Sequence, residues 1–97
     1  MTTVRFLPEA SEEFGASAVY YESHERGLGQ AFVSEVEKTL ARIARHPKAA
    51  RLVVGEIRRR LVHRFPYSVL YCARDDEIIV IAVAHRRRRP GYWAGRS

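Results

Sequence analysis

The spacing of apolar residues divides the chain into stretches of two different periods. Thr3-Val4-Arg5-Phe6-Leu7 alternates over a short span and predicts a first strand. Pro8 then suits the first position of a helix, where its missing N–H costs nothing, and Glu9, Glu12 and Glu13 complement the N-terminal dipole. From Pro8 to about Glu25, the residues Ala10, Phe14, Ala18 and Tyr21 recur at helical spacing. Arg26-Gly27-Leu28-Gly29 breaks this pattern. A second helix is predicted from about Gly29 to Arg45, with Phe32, Val36, Leu40 and Ile43 as its apolar stripe and Glu35, Lys38 and Arg42 facing away. His46-Pro47 ends it, because the residue before a proline avoids the helical region.

From Val53 the period changes to two residues. Strands are predicted at Ile57 to Arg64, Tyr67 to Arg74 and Glu77 to Ala84, with Phe65-Pro66 and Asp75-Asp76 as punctuation. Ile78-Ile79-Val80-Ile81 is apolar on both faces, as in a strand at the centre of a sheet covered on both sides. The order is strand, helix, helix, then three or four strands. Short turns make sequential strands antiparallel. A helical hairpin packed on one face of such a sheet is an α+β fold. No repeat or Ser/Gly linker divides residues 1–97, which read as one domain.

Composition adds little until charge is considered. An apolar fraction of 46% is that of an ordinary globular protein. No run reaches the roughly 18 apolar residues of a membrane helix, and no secretory leader is evident, so a cytoplasmic protein is expected. The lone Cys72 lies in an apolar run and reads as a small buried hydrophobe. The net charge of +6 is unevenly spread: residues 1–50 carry a net of −1 and residues 51–97 a net of +7. Fifteen of the 17 basic residues are arginine, the side chain that makes planar bidentate contacts with phosphate and carboxylate. An anionic partner is therefore expected, a nucleic acid or an acidic peptide.

Three features could carry chemistry. In Ile57-Arg58-Arg59-Arg60-Leu61, alternation turns Ile57 and Leu61 toward the core and projects Arg58 and Arg60 together from the opposite face. Such a pair is either a phosphate clamp or a charged edge that blocks aggregation. His85-Arg86-Arg87-Arg88-Arg89 follows the central strand; four consecutive arginines need an anion or open water, and His85 offers an imidazole for general acid–base work. Tyr92-Trp93 either pins the tail to the body or offers a stacking surface. No metal site is expected, since His24, His46, His63 and His85 have no Cys or His at ligand spacing.

Phe6-Leu7-Pro8-Glu9-Ala10, Tyr20-Tyr21 and Gly27-Leu28-Gly29 with Phe32 resemble the corresponding segments of the RelE/ParE toxins of type II toxin–antitoxin systems. So do Arg64-Phe65-Pro66-Tyr67-Ser68-Val69-Leu70-Tyr71 and Val83-Ala84-His85 followed by Arg89-Pro90 and Trp93. The similarity spans essentially the full chain and implies a β-α-α fold followed by an antiparallel sheet. It implies a growth-inhibiting toxin without a cofactor, held in a hetero-oligomer by a co-encoded antitoxin. That antitoxin would present an acidic or amphipathic segment and carry its own DNA-binding part.

The superfamily has two activities. RelE-like members are ribosome-dependent mRNA endonucleases, and for these the resemblance would select Arg58, Arg60, Arg86 and Tyr92, with His85, as the site. Their motif Tyr-Arg-Leu-Val-Tyr, however, stands here as Tyr67-Ser68-Val69-Leu70-Tyr71. Serine cannot neutralise a developing phosphorane charge as a guanidinium would. ParE-like members are regarded as DNA gyrase inhibitors that act by binding. The Phe-Pro-Tyr approach and the tail bring the chain nearer that branch, with Arg86, Arg87, Arg88, Arg89, Tyr92 and Trp93 as the expected target-contacting residues.

Overall fold

A computed structural model describes residues 2–96. The chain runs β1 (Thr3–Phe6), α1 (Pro8–His24), α2 (Leu28–Arg45), β2 (Arg51–Val54), β3 (Ile57–Leu61), β4 (Tyr67–Arg74) and β5 (Glu77–His85), then a short 3-10 turn at Ala94–Arg96. The strands form one sheet in the order β1-β5-β4-β3-β2. The pairs β2/β3, β3/β4 and β4/β5 are antiparallel, as short turns require. The sheet is nonetheless mixed, because β1 pairs parallel with β5. The connection from β1 to β5 runs through the helical hairpin and three further strands, so this pair is free of the antiparallel constraint that a short turn imposes.

Pro8 opens α1 as expected. Glu22 joins the two helices: its carboxylate accepts hydrogen bonds from the backbone N–H of Gly27 (2.9 Å) and Gly29 (3.0 Å). This places an anion at the N-terminus of α2, where the helix dipole favours one. Gly29 is required there by space, since a Cβ would stand 2.5 Å from the Ala18 carbonyl oxygen.

The sheet separates two apolar layers. On the helix side, Ala10, Phe32, Val36 and Ile43 pack with Val69, Tyr71, Ile78, Val80 and Val83. Burying a side chain such as Phe32 or Ile43 contributes roughly 1.5–3 kcal/mol. On the other side, Ile57, Leu70, Cys72, Ile81 and Ala84 pack with Trp93, so the C-terminal tail supplies the cover there. Cys72 is buried, and burial pushes its thiol pKa up. A bulge shifts the alternation of β5 between the two layers, from Ile78 and Val80 to Val83 on the helix side. Leu70 faces Ala82 and Tyr71 faces Val80, which leaves Ile81 as the extra residue.

Two expectations about β3 are corrected. The strand ends at Leu61 rather than Arg64. Leu61 is 69% exposed instead of buried, because it lies outside the layer that holds Ile57, Leu70 and Trp93. Arg42 also differs from expectation: it is half-buried rather than solvated, with its Nε out of contact with solvent.

Candidate functional site: the arginine-rich end of the sheet

Beyond β5 the chain turns sharply. The Arg86 N–H donates to the Pro66 carbonyl (2.9 Å), the Arg87 N–H to His85 Nδ1 (3.0 Å) and the Arg88 N–H to the His85 carbonyl (3.0 Å). The backbone is thus fixed while all four side chains, Arg86 to Arg89, are exposed. None of them has an ion-pair partner among the described residues. Arg88 lies over the Tyr92 ring, 4.0 Å from its centroid, a cation–π contact that orders one guanidinium without neutralising it. Arg64 belongs to the adjoining turn, is exposed, and has φ 76°, the left-handed region that non-glycine residues rarely occupy.

A half-buried network on the edge of β5 holds this loop in place. β1 pairs only with Glu77 to Val80 of β5, so the outer edge beyond Val80 lacks a strand partner. Glu13 of α1 and Arg96 of the tail fill that gap. The Val83 N–H donates to Glu13 Oε1 (3.1 Å), and Arg96 donates to the Ile81 carbonyl (3.2 Å). Arg96 also makes a bidentate pair with Glu13, at 3.0 and 2.9 Å. The Tyr92 hydroxyl donates to Glu13 Oε2 at 2.7 Å. Burial alone would raise the Glu13 pKa, but the hydrogen bonds from Arg96, Tyr92 and Val83 together bring it below the usual 4.5. Burial, and then the hydrogen bond to Glu13, pushes Tyr92 up to about 12. Tyr92 is thus a neutral donor near pH 7, and with the buried Trp93 it anchors the tail.

The arginines of β3 are arranged differently. Arg58 donates to the Lys48 carbonyl (3.0 Å) and the Ala50 carbonyl (2.7 Å), closing the loop that follows α2. Arg60 is half-buried, with its Nε hidden from solvent and unpartnered. Both share the face of Tyr71 and Val69, toward the helices. Two strands separate them from the edge where Tyr92 is bound: β3 reaches β5 only through β4. The structure therefore brings His85 and Arg86 to Arg89 together, and it does not bring Arg58 and Arg60 to Tyr92. Ser68 is buried within β4.

Sequence pattern does not mark Glu13 or Arg96 as site residues. Glu13 reads from sequence as a complement to the helix dipole. Its position three residues after the buried Ala10 put it on the inward stripe of α1, and that was the available signal. Arg96 gave none.

The sequence matches, over residues 4–90, the family described as the ParE toxin of the type II toxin–antitoxin system parDE. No curated protein matches it. Among solved structures, the chromosomal ParDE toxin–antitoxin system from P. aeruginosa has a chain that superposes with a TM-score of 0.72 at 17% identity, covering 88% of this chain and 96% of that one. That likeness bears on the fold, and it agrees with the strand, helical hairpin and sheet described above. With a family match that takes in both helices, β2 to β5 and all of β1 but Thr3, the chain belongs to the ParE toxin family of type II toxin–antitoxin systems.

Proposed function

We propose that this toxin stops growth in the cytoplasm by binding and poisoning DNA gyrase, without catalysing a reaction itself. The reading is supported above all by one observation: a run of exposed, unpaired arginines on a backbone fixed at the end of the sheet. Such a preorganised cationic edge suits binding to an anionic surface, because no charge partner must first be displaced. Arg86, Arg87, Arg88 and Arg89 are the target-contacting groups, with Tyr92 and Trp93 setting their position. Arg58, committed to two loop carbonyls, and Arg60, half-buried beneath the helices, give no support to an mRNA endonuclease.

The partner is a cognate antitoxin with an acidic, partly disordered segment. It docks along the cleft between α1 and α2, an open concavity of about 490 Å³ walled by Ala18, Val19, Gly29 and Val33. It continues onto the free edge of β2, where Leu52 and Val54 are exposed. Purified gyrase mixed with antitoxin-free toxin should lose supercoiling activity, and added antitoxin should restore it. A folded toxin that arrests growth but leaves supercoiling intact would overturn the gyrase assignment. Toxin and antitoxin running as separate species in light scattering would overturn the docking.

A further inference from the structure

The groove on the helix side of the sheet's arginine-rich end belongs to none of the roles above. It is a concavity of about 450 Å³ lined by Ala16, Ser17, Tyr20, Tyr21, Tyr67 and His85. That volume falls within the range of small-molecule sites. Tyr21 and Tyr67 are accounted for by the core, since both rings pack against Phe32 and Tyr21 also meets Phe65. Tyr20 is not: it is 56% exposed, with its ring against His24 (4.3 Å) and the edge of Tyr21 (5.5 Å). His85 stands edge-on to Tyr67, 5.1 Å between centroids. Its Nδ1 is occupied as the acceptor of the Arg87 N–H, which leaves Nε2 as the nitrogen free to contact a ligand.

No acidic residue lines this groove, and the nearest turn of α1 carries the exposed Glu12 one turn before Ala16. The Glu13 carboxylate, on the same helix, is turned to Arg96 and Tyr92, and that of Glu22 to the start of α2. Arg86 and Arg87 directly follow His85 in the chain. Arg64 lies in the turn fastened to the same end by the Arg86 N–H to Pro66 bond. A left-handed φ at an exposed, non-glycine position is a strained feature of the kind that gathers at functional sites. Aromatic faces, a hydroxyl and a ring nitrogen thus stand at the same end of the sheet as cations that have no ion-pair partner among the described residues, Arg64 resting over the Phe65 ring at 5.4 Å.

We propose that this groove binds one nucleotide unit of a single strand, with the base against Tyr20 and His85 and the flanking phosphates at Arg64 and Arg86. The proposal does not depend on the gyrase assignment, because binding needs only the toxin and the strand. It assigns the aromatic groove to base contact and leaves the arginines to phosphate contact, the two halves of single-strand recognition.

The test is fluorescence anisotropy with labelled oligothymidylate, the oligouridylate of equal length, and an abasic deoxyribose-phosphate chain, using the whole antitoxin-free toxin. The wild type should bind the base-bearing strands more tightly than the abasic chain, and the tighter of the two identifies the natural backbone. Tyr20→Ala should weaken base-bearing strands by roughly 5- to 50-fold, the usual worth of one stacked base, while leaving the abasic chain unaffected. Tyr20→Phe should restore binding. Tyr20 is exposed, so these variants keep the fold, which a thermal melt checks. Equal binding of abasic and base-bearing chains, or no effect of Tyr20→Ala, would overturn the proposal. So would oligothymidylate-induced NMR shifts centred on Arg5, Arg74 and Arg96, across the sheet, instead of Ser17, Tyr20 and His85. Gyrase is absent throughout, so failure here leaves the gyrase reading standing, and the reverse holds.

Discussion

Arg58-Arg59-Arg60 on β3 and Arg86 to Arg89 after β5 are nearly the same string of residues, yet the fold gives them opposite tasks. On β3, alternation sends Arg58 and Arg60 to the helix-covered face. There Arg58 satisfies two loop carbonyls, and Arg60 has its Nε hidden from solvent. Only Arg59 stays exposed, opposite Arg51 on the edge strand. After β5, the turn fixed by Pro66 and His85 denies the arginines a regular strand, and all four side chains reach solvent. A cluster of guanidiniums therefore says little about binding until the acceptors around it are known. Arginines that meet backbone carbonyls hold loops, and arginines that meet none remain available to a partner.

The largest effect should come from the free cluster. Replacing Arg86, Arg87 and Arg88 together by alanine should abolish gyrase inhibition. Stability in urea should stay within about 0.5 kcal/mol at Arg86 and Arg87, as usual for exposed positions, and fall by about 0.5–1 kcal/mol at Arg88, which loses its contact with the Tyr92 ring. A triple variant that still poisons gyrase would remove the functional half of the contrast.

A second test removes the anchor beneath the free cluster. Glu13→Ala strands Arg96 in a largely buried site and takes the acceptor from Tyr92; the side chains of Glu13 and Arg96 are 15% and 17% exposed. A loss of about 3 kcal/mol is expected, the low end for breaking a buried pair. In a domain of this size that lowers the melting temperature by roughly 15 °C. The pH dependence has a definite sign. The Glu13 pKa is depressed on folding, so its contribution is present above about 4.5 and is lost as pH falls through the lower folded value. Tyr92 acts at the other limit: raised to about 12, it contributes stability below its ordinary 10 that is lost as pH rises through about 12. Urea melts of Glu13→Gln across the acid range should show a shallower acid slope than wild type. An unchanged slope would mean that Glu13 does not hold the tail.

The smallest effects separate the residues within β3. Arg58→Ala should cost about 1–2 kcal/mol by leaving the Lys48 and Ala50 carbonyls without their charged donor. Arg59→Ala should stay within about 0.5 kcal/mol. Both folded variants should inhibit gyrase as the wild type does. Equal stability losses for the two would show that Arg58 does not close the loop.

The sequence by itself determined the order and type of elements. Pro8, the stripe from Ala10 to Tyr21 and the stripe from Phe32 to Ile43 are local patterns, and helices form from local contacts. The same holds for Tyr67 to Arg74 and for the start of β5 at Glu77, whose turn residues lie beside them. The two-residue period likewise put Arg58 and Arg60 on one face together. What it could not decide was which layer that face would meet. Ile57 proved to lie in the layer that Trp93 joins and Arg58 on the helix side, because the tail returns across the sheet to supply that layer. The parallel place of β1 beside β5, and the edge it leaves open past Val80, likewise depend on contacts between residues far apart in the chain. Glu13, Tyr92 and Arg96 meet across some eighty positions, at an edge that exists only once the sheet has formed. Local periodicity fixes which residues share a face; only tertiary packing decides what that face touches, and so which arginines are free to bind.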